Sequence, residues 1–305
     1  MNGNQIHRSV HHFGSPADQE LNHPVLSALP RAISITSGKG GVGKTNIVTN
    51  LAVSSALRGQ KVLIIDCDLG LSNIDVMMGL NPRYNLLHAL RGEVPLKDVL
   101  VTGPAGVRVL PAPFGIQEIT HLSREQQLNL LAILERMDEE FDLIYLDTGA
   151  GISSNVMFFN MLANHIVVVM TPDPSSMTDA YALIKIMSTR FGESRFHLLV
   201  NLVRSEADGL AYYRKLTGVT HNFLNVSVDY VGCLPTDPQI NRATLMCRPV
   251  ASAFPTSAIT QRFLMLAERI ERFPAAVMPK RSKQGWMNEP SGSGEQPEQN
   301  ASGVF

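Results

Sequence analysis

Short runs rich in Val, Ile and Leu recur along the middle of the chain, at Ala32–Thr36, Lys61–Asp66, Leu143–Asp147, His165–Thr171, Phe196–Asn201 and Asp229–Leu234, with a shorter one at Val107–Pro111. They are continuous rather than alternating, which marks strands buried on both faces of a sheet. Helical stretches separate most of them, among them Asn46–Arg58, Arg124–Glu139, Asp179–Phe191 and Ala258–Phe273. Strand and helix in alternation, joined by short loops, predict an α/β fold: a doubly wound, mostly parallel sheet with helices on both faces. Ligands of such sheets gather at the carboxyl ends of the strands, so polar residues there are the first candidates for chemistry.

The pattern fades at both ends of the chain. Residues 1–30 are polar, with several His and Pro and no periodicity, and read as a flexible arm. Residues 275–305 run into Pro290-Ser291-Gly292-Ser293-Gly294-Glu295-Gln296-Pro297, a disordered composition. No linker interrupts the middle, so residues 31–274 are expected to form one domain.

Composition narrows the function classes. With 44% hydrophobic residues among 305, a sizeable core is available. The 26 Lys and Arg balance 27 Asp and Glu, so direct nucleic-acid binding is not expected. The three cysteines, Cys67, Cys233 and Cys247, are odd in number and lack C-x-x-C spacing. That speaks against a disulfide framework, a zinc site or an iron–sulfur site and fits a reducing cytosol. No apolar run of spanning length and no secretory segment occur, so a cytoplasmic location is expected, with binding to the inner face of a membrane as the other option.

The most specific chemistry follows the first strand. Gly38-Lys39-Gly40-Gly41-Val42-Gly43-Lys44-Thr45 matches G-x-x-x-x-G-K-[ST] between a strand and a helix. Glycines let backbone N–H groups turn inward with no Cβ in the way of a phosphate, and the helix N-terminus adds its positive dipole end. Lys44 is expected to reach the β- and γ-phosphates and Thr45 to ligate Mg²⁺. The second strand ends in Asp66-Cys67-Asp68, two carboxylates leaving a buried strand, where a cation or a water relay would offset the cost of burial. Leu143-Ile144-Tyr145-Leu146-Asp147 is an apolar strand ending in an acid, a second candidate for the metal's water shell. Thr148-Gly149-Ala150-Gly151 after it is a candidate switch loop, whose N–H groups could sense a γ-phosphate.

Lys39 is a second lysine that an ordinary phosphate loop does not need. With it the sequence resembles the deviant Walker A family of MinD, ParA and the nitrogenase iron protein. The resemblance implies an ATPase that cycles ATP to ADP with Mg²⁺ and forms an ATP-dependent sandwich homodimer, Lys39 reaching across to the partner's nucleotide. By the same resemblance Asp66 supports Mg²⁺ through water and Asp68 orients the attacking water, so Lys39, Lys44 and Asp68 are the catalytic set and Thr45, Asp66 and Asp147 the metal set. The nucleotide run extends to Asn46. The resemblance further implies that Asn201, at the end of its strand beside Arg204, reads adenine and that Pro235 and Asp237 frame the base; for Asn201 an ordinary strand-end turn role is the other reading.

Within the family the sequence most resembles the flagellar-number regulators FlhG/FleN/YlxH. The residues concerned are Lys44-Thr45-Asn46, Asp68-Leu69-Gly70-Leu71-Ser72-Asn73-Ile74-Asp75-Val76, Asp147 to Ser153, Asp173 to Lys185, and Leu224 to Gly232. This implies a slow regulatory ATPase acting on a σ54-dependent flagellar activator, on the FlhF GTPase or on flagellar C-ring components. A MinD-type division-site or ParA-type partitioning ATPase is the alternative. Two features depart from the pattern. The nearest match to an FlhF-stimulating D-Q-A-x-x-L-R helix is Asp18-Gln19-Glu20-Leu21, which runs into Asn22-His23-Pro24 without Leu-Arg. The apolar stripe Ile259, Phe263, Leu266, Ala267, Ile270 and Phe273 is expected to pack on the core rather than to anchor a membrane, since it directly continues the domain.

Overall fold

The computed structural model describes residues 29–69, 72–113, 122–137 and 140–274. The expected arm, the expected tail and the Asp18 motif therefore lie outside the described residues, apart from Leu29 and Pro30. Those two already belong to the first strand, which begins earlier than the composition suggests.

The chain order is β1 (Leu29–Ser37), α1 (Lys44–Leu57), β2 (Val62–Cys67), α2 (Ile74–Met78), α3 (Leu86–Leu90), α4 (Leu96–Val99), β3 (Val101–Thr102), β4 (Arg108–Leu110), α5 (Arg124–Met137), β5 (Leu143–Ala150), α6 (Ser154–Leu162), β6 (Ala163–Met170), α7 (Pro174–Phe191), β7 (Arg195–Val203), α8 (Glu206–Phe223), β8 (Ser227–Pro235), α9 (Pro238–Leu245), α10 (Val250–Ala253) and α11 (Ala258–Glu271). Among the described residues eight strands make one sheet in the order β3-β4-β2-β5-β1-β6-β7-β8. All pairs are parallel except the two-residue edge strand β3, which runs antiparallel to β4. All seven strands expected from apolar runs are present.

β1 lies at the centre, between β5 and β6. The strand order passes from one side of β1 to the other there, so a crevice opens beyond its carboxyl end. Tyr145, Phe158, Phe159, Phe196 and Phe263 are the largest side chains fully enclosed around it. The stripe on α11 packs on the core as expected: Ile259, Phe263, Leu266, Ala267 and Ile270 are buried with α1 residues Ile47, Val48 and Leu51.

Local chemistry sets the helix starts. Asp173 caps α7 by accepting from the Ser176 N–H at 2.9 Å, Pro174 follows in the first turn, and Gly192 ends the helix at φ 68. Helix α7 thus begins five residues before the predicted Asp179. Among the described residues no helix is long and apolar enough to cross a membrane.

Candidate functional site

The phosphate-loop motif leaves the carboxyl end of β1 and enters α1. Gly41 and Gly43 have φ of 75 and 92, left-handed angles that a side chain would strain. A Cβ on Gly38 would stand 2.1 Å from the Asp179 carbonyl oxygen, so glycine there lets the loop press on α7. A cavity of about 700 Å³ opens against the loop; its walls include Gly40, Lys44, Thr45, Asn46, Asp68 and Asn155.

Lys44 is 9% exposed, and its Nζ donates to Ser37 Oγ at 2.9 Å. Burial lowers its pKa, while Asp147 and then Asp68 oppose that shift. Ser37 in turn donates to the Lys39 carbonyl at 2.6 Å, so one hydroxyl steadies the loop and holds its buried lysine. Lys39, by contrast, points outward. Its Nζ lies 3.0 Å from Asp173 Oδ1 and 2.6 Å from Ser175 Oγ, at the start of α7 in the same chain. Hydrogen bonds from Thr171, Ser176 and Ser175, with Lys39 in addition, hold the Asp173 carboxyl below the usual carboxylate range.

Asp66 and Asp147 are register partners on adjacent strands β2 and β5. They are 1% and 2% exposed. Asp66 accepts from Ser72 Oγ at 2.6 Å and from the Asp68 N–H at 3.1 Å. Burial pushes both pKa values up: Asp66 well above the usual range, with Asp147 adding to it, and Asp147 to about 7, with a Thr45 hydrogen bond and Lys44 pulling it back. Asp147 Oδ1 is buried with no hydrogen-bond partner among the described residues. Two adjoining enclosed carboxylates, one oxygen orphaned, beside a threonine hydroxyl are donors suited to a hard dication. Among the described residues no three His, Cys, Asp or Glu side chains gather into a metal cage. Mg²⁺ needs none, since it is commonly held by one or two carboxylates together with phosphate and water.

The switch loop is tied to β1. Thr148 Oγ1 donates to the Ile35 carbonyl at 3.2 Å, and the Gly151 N–H to the Ser37 carbonyl at 2.9 Å. Asp68 stands opposite: a Cβ on Gly149 would lie 3.6 Å from its Oδ1.

The residues expected to read the base lie off this cavity. Asn201 is 5% exposed and donates through Nδ2 to the Val42 carbonyl at 2.8 Å, so it braces the phosphate loop from β7. Asp237 caps α9, Pro235 ends β8, and Arg204 is exposed with its N–H donating to Asp208. None of these four is among the residues lining the loop's cavity. Sequence reading missed Ser37, Ser72 and the Asp173–Ser175 pair as parts of the site. A serine is too common for composition to single it out, though Asp173-Pro174 was a readable helix start.

The family model described as an AAA domain matches residues 30–195. The chain is 40% identical over 258 residues to the antiactivator FleN of Pseudomonas aeruginosa, covering 85% of this chain and 90% of that protein. It is 38% identical over 211 residues to the flagellum site-determining protein YlxH of Helicobacter pylori, covering 69% and 71%. Among solved structures, the septum site-determining protein MinD of Pyrococcus horikoshii, complexed with Mg-ADP, superposes with a TM-score of 0.64 at 27% identity, over 79% of this chain and 96% of that one.

Proposed function

Starting from a chain that belongs to the MinD/ParA family of phosphate-loop ATPases, within its FleN/YlxH branch, we propose an ATP-dependent dimerising switch that regulates flagellar number and placement. Its targets on this reading are a σ54-dependent flagellar activator, the FlhF GTPase, or both. The observation that carries the flagellar role is the 40% identity to an antiactivator across nine-tenths of that protein's length. The observation that carries the switch is Lys39, held on its own Asp173 at the rim of the phosphate loop.

ATP or ADP would lie on the loop from Gly38 to Asn46, with Thr45, Asp66 and Asp147 holding Mg²⁺, which supplies charge neutralisation for the phosphates. Lys44 is close enough to Asp147 and Asp68 to feel both charges, so an incoming phosphate competes with Ser37 for its ammonium. Asp68, facing the switch loop, orients the attacking water. The Lys39–Asp173 pair is exposed, with side chains 39% and 38% accessible, so breaking it costs little. Lys39 can therefore exchange Asp173 for the nucleotide of a second copy when γ-phosphate draws two chains together. Asn201 reads adenine on this view by turning its amide from Val42 toward the base.

Size-exclusion chromatography of the full chain with a slowly hydrolysed ATP analogue tests the switch. Wild type is expected to elute as a dimer and Lys39→Ala as a monomer with an unchanged circular dichroism spectrum. A normal dimer from Lys39→Ala would refute the trans role of the lysine. Deleting the gene from a flagellated host tests the biological role, and unchanged flagellation would reject it.

A further inference from the structure

We propose that Ser72 is a positioning residue of this ATPase site: its hydroxyl aims Asp66 at the metal position and couples that carboxylate to α2. The inference rests on the nucleotide-and-metal reading above. Ser72 is 2% exposed and stands two residues before α2, next to the Asn73 cap, and its Oγ donates to Asp66 Oδ2 at 2.6 Å. A hydroxyl-to-carboxylate bond of that length belongs to the strong, charge-assisted class.

The arrangement around the two carboxylates is two-sided. Thr45, at the start of α1, bonds Asp147 from one side. Ser72, just ahead of the Asn73 cap of α2, bonds Asp66 from the other. The remaining Asp66 oxygen takes the Asp68 N–H, so the rotation of the Asp66 carboxyl is fixed by two donors at once. Removing the hydroxyl leaves an oxygen in a nearly closed site without its donor, and the carboxyl is then free to turn from Asp147. Ser72 also connects the pair to the cavity wall, because Val76 and Met77 of α2 line the space beside Thr45 and Asp68. A change in what Asp66 binds is thereby passed through one hydrogen bond to the residue that precedes the α2 cap. Thr45 lies within the loop motif, which made it readable from sequence. Ser72 lies in no phosphate-binding motif.

The test follows the thermal stability of the full chain with saturating ADP while MgCl₂ is titrated in, and measures ADP affinity separately in EDTA. Ser72→Ala is expected to need about tenfold more Mg²⁺ for half of the stabilisation, the low end of losses seen when a metal ligand's hydrogen-bond support is removed. Ser72→Thr, which keeps the hydroxyl, should titrate like wild type, and ADP affinity in EDTA should be the same for all three. An unchanged Mg²⁺ midpoint in Ser72→Ala overturns the inference. So does a parallel loss of metal-free ADP affinity, which would make Ser72 a prop for the cavity alone. Should Ser72→Ala not fold, Ser72→Cys keeps the shape with a weak donor; an intermediate midpoint supports the assignment and a wild-type midpoint ends it. A wild-type protein whose melting ignores Mg²⁺ would instead remove the ATPase-site reading itself.

Discussion

At the carboxyl ends of β2 and β5 two carboxylates, Asp66 and Asp147, stand side by side in the core, while near the amino ends of β6 and β7 two imidazoles, His165 and His197, meet beneath Phe273. Both pairs are products of the same parallel sheet, yet they are satisfied differently. His197, 3% exposed, has its pKa lowered to about 4, first by burial and then by His165, so it is neutral at physiological pH. Its ring stacks on Phe273 with centroids 4.0 Å apart and its Nε2 lies 3.1 Å from His165 Nδ1. His165 Nε2 is 2.9 Å from the Pro274 carbonyl, which closes the end of the last described helix over the pair. The carboxylate end has no such lid: burial raises both groups, and Asp147 keeps an oxygen unmatched among the described residues. His197 Nδ1 is likewise buried without a hydrogen-bond partner among the described residues, but on a neutral ring stacked under Phe273, whereas the carboxylate end is left short of positive charge that a ligand can bring.

The largest expected effect comes from the half-buried carboxylate that belongs to the open end without being enclosed in it. Asp68→Ala should slow ATP turnover by roughly 100-fold or more, the usual scale for losing a positioned water-orienting group. Its ATP-bound dimer should persist longer, and its melting temperature should stay near wild type. Phosphate release measured on the two proteins decides this, and wild-type turnover in the variant would reject the role. If the turnover loss came with unfolding, Asp68 would instead belong to the core, and the contrast between the two ends would weaken.

The closed end is expected to answer in stability alone. Phe273→Ala removes the ring over His197 and His165 and should cost about 2 kcal/mol, less than for a fully enclosed phenylalanine because Phe273 is only partly buried. For a domain of this size that is a melting-temperature loss of roughly 5 °C. Nucleotide affinity, measured by titrating a fluorescent ADP analogue, should be unchanged. A change there would mean that the two ends communicate through β6 or β7, which the present reading does not require.

The legibility of the chain divides along the same line. All the buried strands were readable, because burial on both faces leaves unbroken apolar runs such as Leu143–Leu146. The phosphate loop was readable because its chemistry fixes residue types at fixed spacing. Helix α8 was not among the helical stretches identified: of its residues only Gly209, Leu216 and Thr220 are buried, and it carries two glycines, so no apolar stripe announces it. Its Ser205 cap, followed by Glu206 and Asp208 in the first turn, was the available signal. The Lys39–Asp173, Ser72–Asp66 and Asn201–Val42 contacts span different elements, and single-sequence patterns carry no information on which strand ends become neighbours. The same holds for His165 and His197, which on their own look like scattered surface histidines.

The smallest effect is the most direct comparison of the two ends, because their titrations run in opposite directions over one pH window. Asp147, raised from 3.8 to about 7, binds in the folded state a proton that the unfolded chain releases. Its contribution to stability is full below its unfolded value and is lost as pH rises through about 7, and Asp66, also raised, adds to that trend. His197, lowered from 6.5 to about 4, contributes fully above 6.5 and loses that contribution as pH falls through about 4. In the wild-type free protein the two slopes offset each other in part. His197→Gln removes one, so its melting temperature should fall by about 3 °C between pH 5 and pH 7, on the order of 1 kcal/mol. Asp147→Asn cuts part of the other and leaves the Asp66 slope, so that variant should lose less stability over the same interval than His197→Gln does. It should also be more stable than wild type at pH 8 without ligand, while gaining less from Mg²⁺ and ADP. Melting curves at the two pH values read all three proteins. A His197→Gln protein that becomes more stable toward pH 7 would show that the carboxylate pair is not the uncompensated charge at the sheet's open end, and a cation would lose its physical reason to bind there.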